Sequence, residues 1–213
     1  MGSAMRLVIL GAGGHGAVVA EGAQLSGWIL EGFYDDDAAA VLFGGVRRLG
    51  AIGDFAARGD DMREAIVGVG LLEARRRVIE KAGALARWGV VIHPRAIVSE
   101  RAELGDGAFV GPGAIVNPRA RVGMHAIINS GAIVEHDCAI GVNAHVAPGA
   151  VLCGGVRVGD GTLVGAGARV IPGVTIGAGC VVGAGSVVVR DVGDGATVMG
   201  NPARAKRAAR AVA

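Results

Sequence analysis

The sequence predicts a two-part molecule, a small α/β domain followed by an all-β parallel solenoid, and three observations predict it. A six-residue repeat runs unbroken from Ala96 to Asp191. Ahead of it, Leu7–Leu10 leads straight into Gly11-Ala-Gly-Gly-His-Gly16, the pattern of a strand turning into a helix. Across all 213 residues, 39 are glycine and seven aromatic, although 52% are hydrophobic. Ordinary domains carry about 7% glycine, so this core must be built of small and β-branched side chains at close backbone spacing. The boundaries expected are 5–93 for the α/β domain, 94–191 for the solenoid and 192–213 for a tail.

Taken in order, Arg6–Leu10 is apolar after its first residue and reads as a buried strand. After the glycine-rich turn, Ala17–Gln24 reads as a helix stopped by Gly27. Trp28–Tyr34 makes a second strand ending at Asp35-Asp36-Asp37, and Ala65–Val69 a third. Leu71–Trp88 reads as a helix with Leu72, Val78, Ile79, Ala82, Leu85 and Ala86 on one face. Val90–Ile92 then leads through His93-Pro94 into the repeat. Strands alternating with helices call for a parallel sheet, a small Rossmann-like unit about half the size of a full dinucleotide domain.

The repeat comprises sixteen hexads without an insertion, and the third position of each is Val, Leu or Ile. The first position is small except for two valines. A period of six fits neither a helix nor a simple strand alternation. It fits a short strand plus a corner, with one aliphatic residue inward and Gly, Asn or Asp at the turn. Three hexads close a triangular coil, so residue i stacks beneath i+18 at about 4.8 Å.

Composition excludes several classes. With 21 basic against 19 acidic residues and few aromatics, no nucleic-acid surface is expected. Three cysteines (138, 153, 180) do not form a paired framework and suit a reducing compartment. Val170–Val189 carries no charge but holds five glycines and a proline in the hexad period, so it is not read as a membrane span. Gly2–Ala4 read as a cloning remnant with Met5 as the native start, no signal peptide follows, and the chain is expected to be soluble and cytoplasmic.

Three groups of residues carry chemistry. Gly11, Gly13 and Gly16 meet the G-x-G-x-x-G pattern, with Asp35 nineteen residues beyond Gly16. No second mononucleotide half follows, so a nucleotide diphosphate is expected there rather than a redox cofactor. His125, His136 and His145 fall in the fifth, seventh and ninth hexads, on three faces of the prism, and so are not expected to converge on a metal. His136, in Glu135-His136-Asp137 at a corner, is the candidate general base, since a neighbouring carboxylate favours imidazolium and fixes the tautomer. Alternation of side chains along extended backbone leaves open whether Asp137 touches that ring. Cys138 and Cys180 hold the small first position, and Cys153 lacks a basic neighbour that would make it a nucleophile.

The combination of GAGGHG at 11–16, DDD at 35–37, IHP at 92–94, IINSGAIVEHD at 127–137, NAHVAPG at 143–149 and GNPAR at 200–204 resembles one family. It is similar to the hexapeptide-repeat sugar acetyltransferases related to the sialic acid O-acetyltransferases. Within them the resemblance is to N-acetyltransferases of nucleotide-linked 4-amino-4,6-dideoxysugars of the bacillosamine and perosamine type. The resemblance implies a left-handed β-helix, against the usual right-handed crossover, and a homotrimer with sites between subunits. It implies acetyl-CoA as co-substrate, a UDP- or GDP-linked amino sugar as acceptor, and no metal. His136 becomes the general base and Asp137 its carboxylate partner. Gly13, Gly14, His15, Asp35, Asp36 and Asn129 would hold the nucleotide sugar. His145, Gly154, Gly165, Ala166, Pro202 and Arg204 would line the acetyl-CoA site. Two rivals stay open at this point: O-acetylation of a sialic acid or another sugar, and a trimeric nucleotide-binding module without catalysis.

Overall fold

The computed structural model of the chain describes residues 5–57, 64–83 and 86–206. Gly2–Ala4, Leu85 and the end of the tail lie outside the described residues. The first part holds β1 (Arg6–Leu10), α1 (Gly14–Leu25), β2 (Ile29–Tyr34), β3 (Arg48–Gly50), α2 (Ile52–Ala56), β4 (Glu64–Val67) and α3 (Leu72–Ala82). The strands form one parallel sheet in the order β3-β2-β1-β4. Alternate residues of β1 serve opposite faces. Leu7 and Ile9 pack with Val19, Ala23, Phe33 and Ile66, and this core continues into the solenoid through Phe109 and Ile127. Val8 and Leu10 pack on the other side with Tyr34, Val67 and Val78.

Several boundaries differ from the sequence expectation for identifiable reasons. Helix α1 begins at Gly14, within the glycine-rich turn rather than at Ala17, and its last turn is closed by Ser26 Oγ donating to Gly22 O at 2.8 Å. Helix α3 ends at Ala82, because Gly83 takes a left-handed φ of 81° that the helix cannot continue through. Trp88 is therefore not helical but bridges Ala65 in parallel. β3 and α2 are unforeseen elements of three and five residues, too short for periodicity to register.

From Val91 onward two-residue strands stack into three parallel sheets, the faces of a triangular prism. The first face starts at Val91–Ile92, the second at Ile97–Val98 and the third at Glu103–Leu104. Up to Val188 each register step is eighteen residues, as in Ile127↔His145, Ile133↔Val151 and Arg121↔Ala139. The prism is a left-handed β-helix of hexapeptide repeats. Third-position residues such as Val110, Ile128, Val146 and Leu152 are wholly buried, with first-position alanines beside them. At about 1.5–3 kcal/mol per buried aliphatic side chain, this column is the main stabilising term of the prism.

The solenoid exceeds the hexads counted from Ala96 at both ends. Val91–Ile92 already pairs with Phe109–Val110. At the far end Ile176 bridges Val192 and Val181 pairs with Thr197, so the last coil advances sixteen residues instead of eighteen. Strands Thr197–Gly200 and Ala203–Ala205 close the first face as an antiparallel hairpin. The uncharged run Val170–Val189 forms solenoid strands, and among the described residues no helix is long and apolar enough to cross a membrane.

Candidate active site

The sixth residue of a hexad turns the corner with positive φ, which glycine adopts at least cost. Among the described residues four non-glycines do so, Arg119 (64°), His125 (55°), Asp137 (62°) and Asn143 (53°). They form two stacked pairs, each separated by one coil.

The pair on the corner between second and third faces builds the dyad. Because Asp137 is left-handed rather than extended, its side chain swings back alongside the preceding one, and His136 Nδ1 lies 2.7 Å from Asp137 Oδ2. From the coil below, Arg119 donates Nε to Oδ1 at 2.6 Å and Nη2 to Oδ2 at 2.8 Å. These bonds, Arg119 first and His136 second, hold the Asp137 carboxyl far below the usual carboxylate range. An ionised Asp137 can only accept, so Nδ1 carries a proton, and in the neutral ring Nε2 is the free lone pair. The imidazole stands at the surface and lies directly under Gly154. A Cβ there would approach His136 Cε1 to 2.6 Å, so glycine at 154 makes room for the ring.

A second cluster forms where the α/β domain rests on the first face. His145 Nδ1 donates to Gly70 O at 3.2 Å, which leaves Nε2 to accept from Asn129 Nδ2 at 3.0 Å. His15 packs edge-on to Phe109 at 5.5 Å and stands 6.4 Å from His145. Its Nε2 is buried without a partner. At the centre is Arg75 of α3, 1% exposed. It donates Nε to Asn143 Oδ1 at 2.6 Å and Nη2 to the carbonyls of Asn143 and Ala144 at 2.9 and 3.2 Å. Burial pushes its pKa down to about 10. His15 and His145 are each pushed down to about 4, chiefly by burial; next comes the His145 charge for His15, and Arg75 acts on both. His125, edge-on to Trp88 at 4.5 Å, is likewise lowered to about 4 by burial and then by Arg75. His125 and His145 both feel the Arg75 charge, whereas His136 stands on the corner between second and third faces. Among the described residues no group of three or more His, Cys, Asp or Glu is arranged to hold a metal ion.

Of the glycine-rich turn, Gly16 is required by packing, since a Cβ would strike Gly11 O, whereas Gly13 and Gly14 face open space. Asp35 Oδ2 accepts from Ala12 N at 2.7 Å and Oδ1 from Asp37 N at 2.8 Å, so this carboxylate ties the turn to the acidic loop. Asp36 points away from the turn, accepting from Lys81 Nζ at 2.8 Å and Ile52 N at 3.0 Å. Lys81 chiefly, then Ile52, holds its carboxyl below the ordinary value.

One chain does not gather all the candidates. His136, Asp137 and Gly154 share one corner. Asn129, Gly165 and Ala166 share the corner between first and second faces, where Gly165 N bonds Val182 O two coils above Asn129 N and its acceptor Val146 O. Pro202 and Arg204 are exposed on the closing hairpin. His145 sits with His15 and Asn129 and has both ring nitrogens engaged. Arg119, Arg75, Asn143 and Gly70 were not anticipated, although adding or subtracting eighteen from Asp137 and His125 finds two of them.

A left-handed hexapeptide prism with a corner His–Asp dyad, joined to a glycine-turn domain, defines an acyltransferase of the hexapeptide-repeat class. The comparisons agree. Residues 6–82 match the PglD N-terminal domain and residues 155–190 the bacterial transferase hexapeptide of six repeats. The acetyltransferase domain of PglB from Neisseria gonorrhoeae FA1090, solved with acetyl coenzyme A, is 35% identical with a TM-score of 0.89, over 96% of this chain and 100% of that one. PerB from Caulobacter crescentus, solved with CoA and GDP-perosamine, is 38% identical with a TM-score of 0.84, over 96% and 98%. Structures of the Caulobacter enzyme with a histidine replaced by asparagine or alanine also match, at 37% identity and a TM-score of 0.85, over 96% of this chain and 98% of theirs. No match is found among curated proteins. The chain belongs to the hexapeptide-repeat acetyltransferases with a PglD-type N-terminal domain, and it is an acetyltransferase.

Proposed function

We propose that the protein transfers the acetyl group of acetyl-CoA to the C4 amine of a nucleotide-linked 4-amino-4,6-dideoxysugar. The observation that carries the mechanism is the His136–Asp137 bond at 2.7 Å on an exposed corner under a side-chain-free Gly154. The amine nitrogen attacks the thioester carbonyl carbon, His136 Nε2 takes the amine proton, and the carbon–sulfur bond breaks to release CoA, which receives a proton. No acyl-enzyme is formed. Gly13, Gly14 and His15 hold the nucleotide sugar, with Asp35 and Asp36 shaping the loop beside it and Asn129 near the sugar. Gly154, Gly165, Ala166, Pro202 and Arg204 line the CoA path, with His145 at its inner end. Holding donor and acceptor together supplies much of the rate.

The site is shared between copies in a trimer. The second face carries outward Ile97, Ile115, Ile133 and Val151 below Arg169 and Val187, with Ile97 68% exposed, while the third carries Glu103, Arg121 and Arg157 among its outward residues. An apolar face flanked by the His136 corner and the Asn129–Gly165 corner supports a threefold assembly that brings one corner of each copy to the other corner of its neighbour. Three free cysteines support a reducing, cytoplasmic setting.

The test is thiol release from acetyl-CoA with UDP- and GDP-linked 4-amino sugars, free sugars and sialic acid. Turnover confined to an amino sugar, abolished in His136→Ala with nucleotide-sugar binding retained, is expected. Turnover on hydroxyl acceptors alone would replace the reading with O-acetylation.

A further inference from the structure

We infer that Arg119 is a positioning residue of the dyad, holding the Asp137 carboxylate from one coil below in the orientation that fixes the His136 ring. The inference rests on the reading of His136 as general base. Above Arg101, the left-handed positions of the corner column are Arg119, Asp137, Gly155 and Gly173, with φ of 64°, 62°, 72° and 74°. The upper two coils turn this corner with glycine, the residue to which the left-handed region costs least. The lower two carry side chains there, which closing the coil does not require.

Those side chains meet one another. Both Asp137 oxygens are engaged by the planar guanidinium fork, and Oδ2 is shared with the imidazole. A carboxylate held by two parallel N–H donors has its rotation about the Cβ–Cγ bond arrested. Asp137 is exposed at the surface, so packing alone does not set that angle. Without the fork the carboxylate would turn freely, and His136 would lose the acceptor that keeps its proton on Nδ1. Glu135, two residues before Asp137, is occupied by Asn117 Nδ2 at 2.9 Å and does not take over the role. Lysine would supply the charge but a single point of contact.

The decisive variants are Arg119→Gly, which keeps the corner backbone in the form Gly155 and Gly173 already use, and Arg119→Lys. R119G is expected to lower kcat about 10- to 100-fold. KM for acetyl-CoA and for the amino sugar should stay within about twofold, and the melting temperature should not fall. Nitrogen-15 spectra of the His136 ring should show the Nδ1–H tautomer of the parent giving way to a mixture. R119K should recover part of kcat. A parent-like kcat in R119G, or a reduced kcat with the tautomer unchanged, would overturn the inference. Running His136→Ala alongside separates the two levels. An active H136A removes both the general base and its brace, whereas an inactive H136A beside a fully active R119G removes only the brace.

Discussion

The surroundings of His15, His125 and His145 give the chain a pH signature. His15, His125 and His145 titrate near 4 in the folded chain against about 6.5 unfolded. The unfolded chain therefore binds protons below about 6.5 that the folded state refuses until near 4. Stability is level above that window and falls as pH drops through it. The melting temperature is expected to decline steadily from pH 7 to 4.5, and His15→Gln with His145→Gln should flatten the slope; an unchanged slope would show the titration lies elsewhere. A Cβ at 154 collides with His136, so Gly154→Ala should lower kcat roughly tenfold or more by displacing the ring, read by steady-state kinetics with acetyl-CoA binding as control. His136 was legible in the sequence because Glu-His-Asp falls at a hexad corner, whereas its contact with Asp137 was open, since it depends on the left-handed φ of 62° there. Arg75 was not singled out, because an arginine on a helix ordinarily lies in solvent. Its signal was its place in the apolar stripe, three residues from both Leu72 and Val78.

The hexads were legible almost whole, since a strand of two residues with one obligatory inward aliphatic leaves a mark every sixth position. The α/β elements were less so. β3 and α2 fall below the length at which a period can be counted, and α3 overran because apolar residues continue past Gly83, the turn that ends it. The second face yields a prediction at this scale. Ile115→Glu with Ile133→Glu places charges on the apolar stripe without touching the inward residues Val116 and Val134. Sedimentation should then report monomer, and thiol release should collapse while far-ultraviolet circular dichroism is unchanged. A persisting trimer would mean the copies meet through another face.

At the scale of the molecule, the α/β domain is fixed to the prism by one buried guanidinium, by the bonds of Asn143 to Leu72 and His145 to Gly70, and by an apolar seam around Phe109 and Ile127. Arg75→Met fills the space but leaves the Asn143 carbonyl and its side-chain oxygen short of a donor, while the Ala144 carbonyl keeps Ile127 N, at about 1–3 kcal/mol for each buried group left unpaired. The expected result is a raised KM for the amino sugar with KM for acetyl-CoA little changed, and a calorimetric transition that splits as the domain loosens from the prism. The sixteen-residue final coil has a consequence of another kind. A parallel stack whose every layer repeats the one beneath it offers its last layer as a template for the next, on its own chain or on a stranger's. Losing two residues breaks phase with the layers below, and the strand Ala203–Ala205 returns antiparallel across the exposed rim of the first face. The rim of the first face is thereby closed by the chain's own strand, which takes the edge another strand would need there.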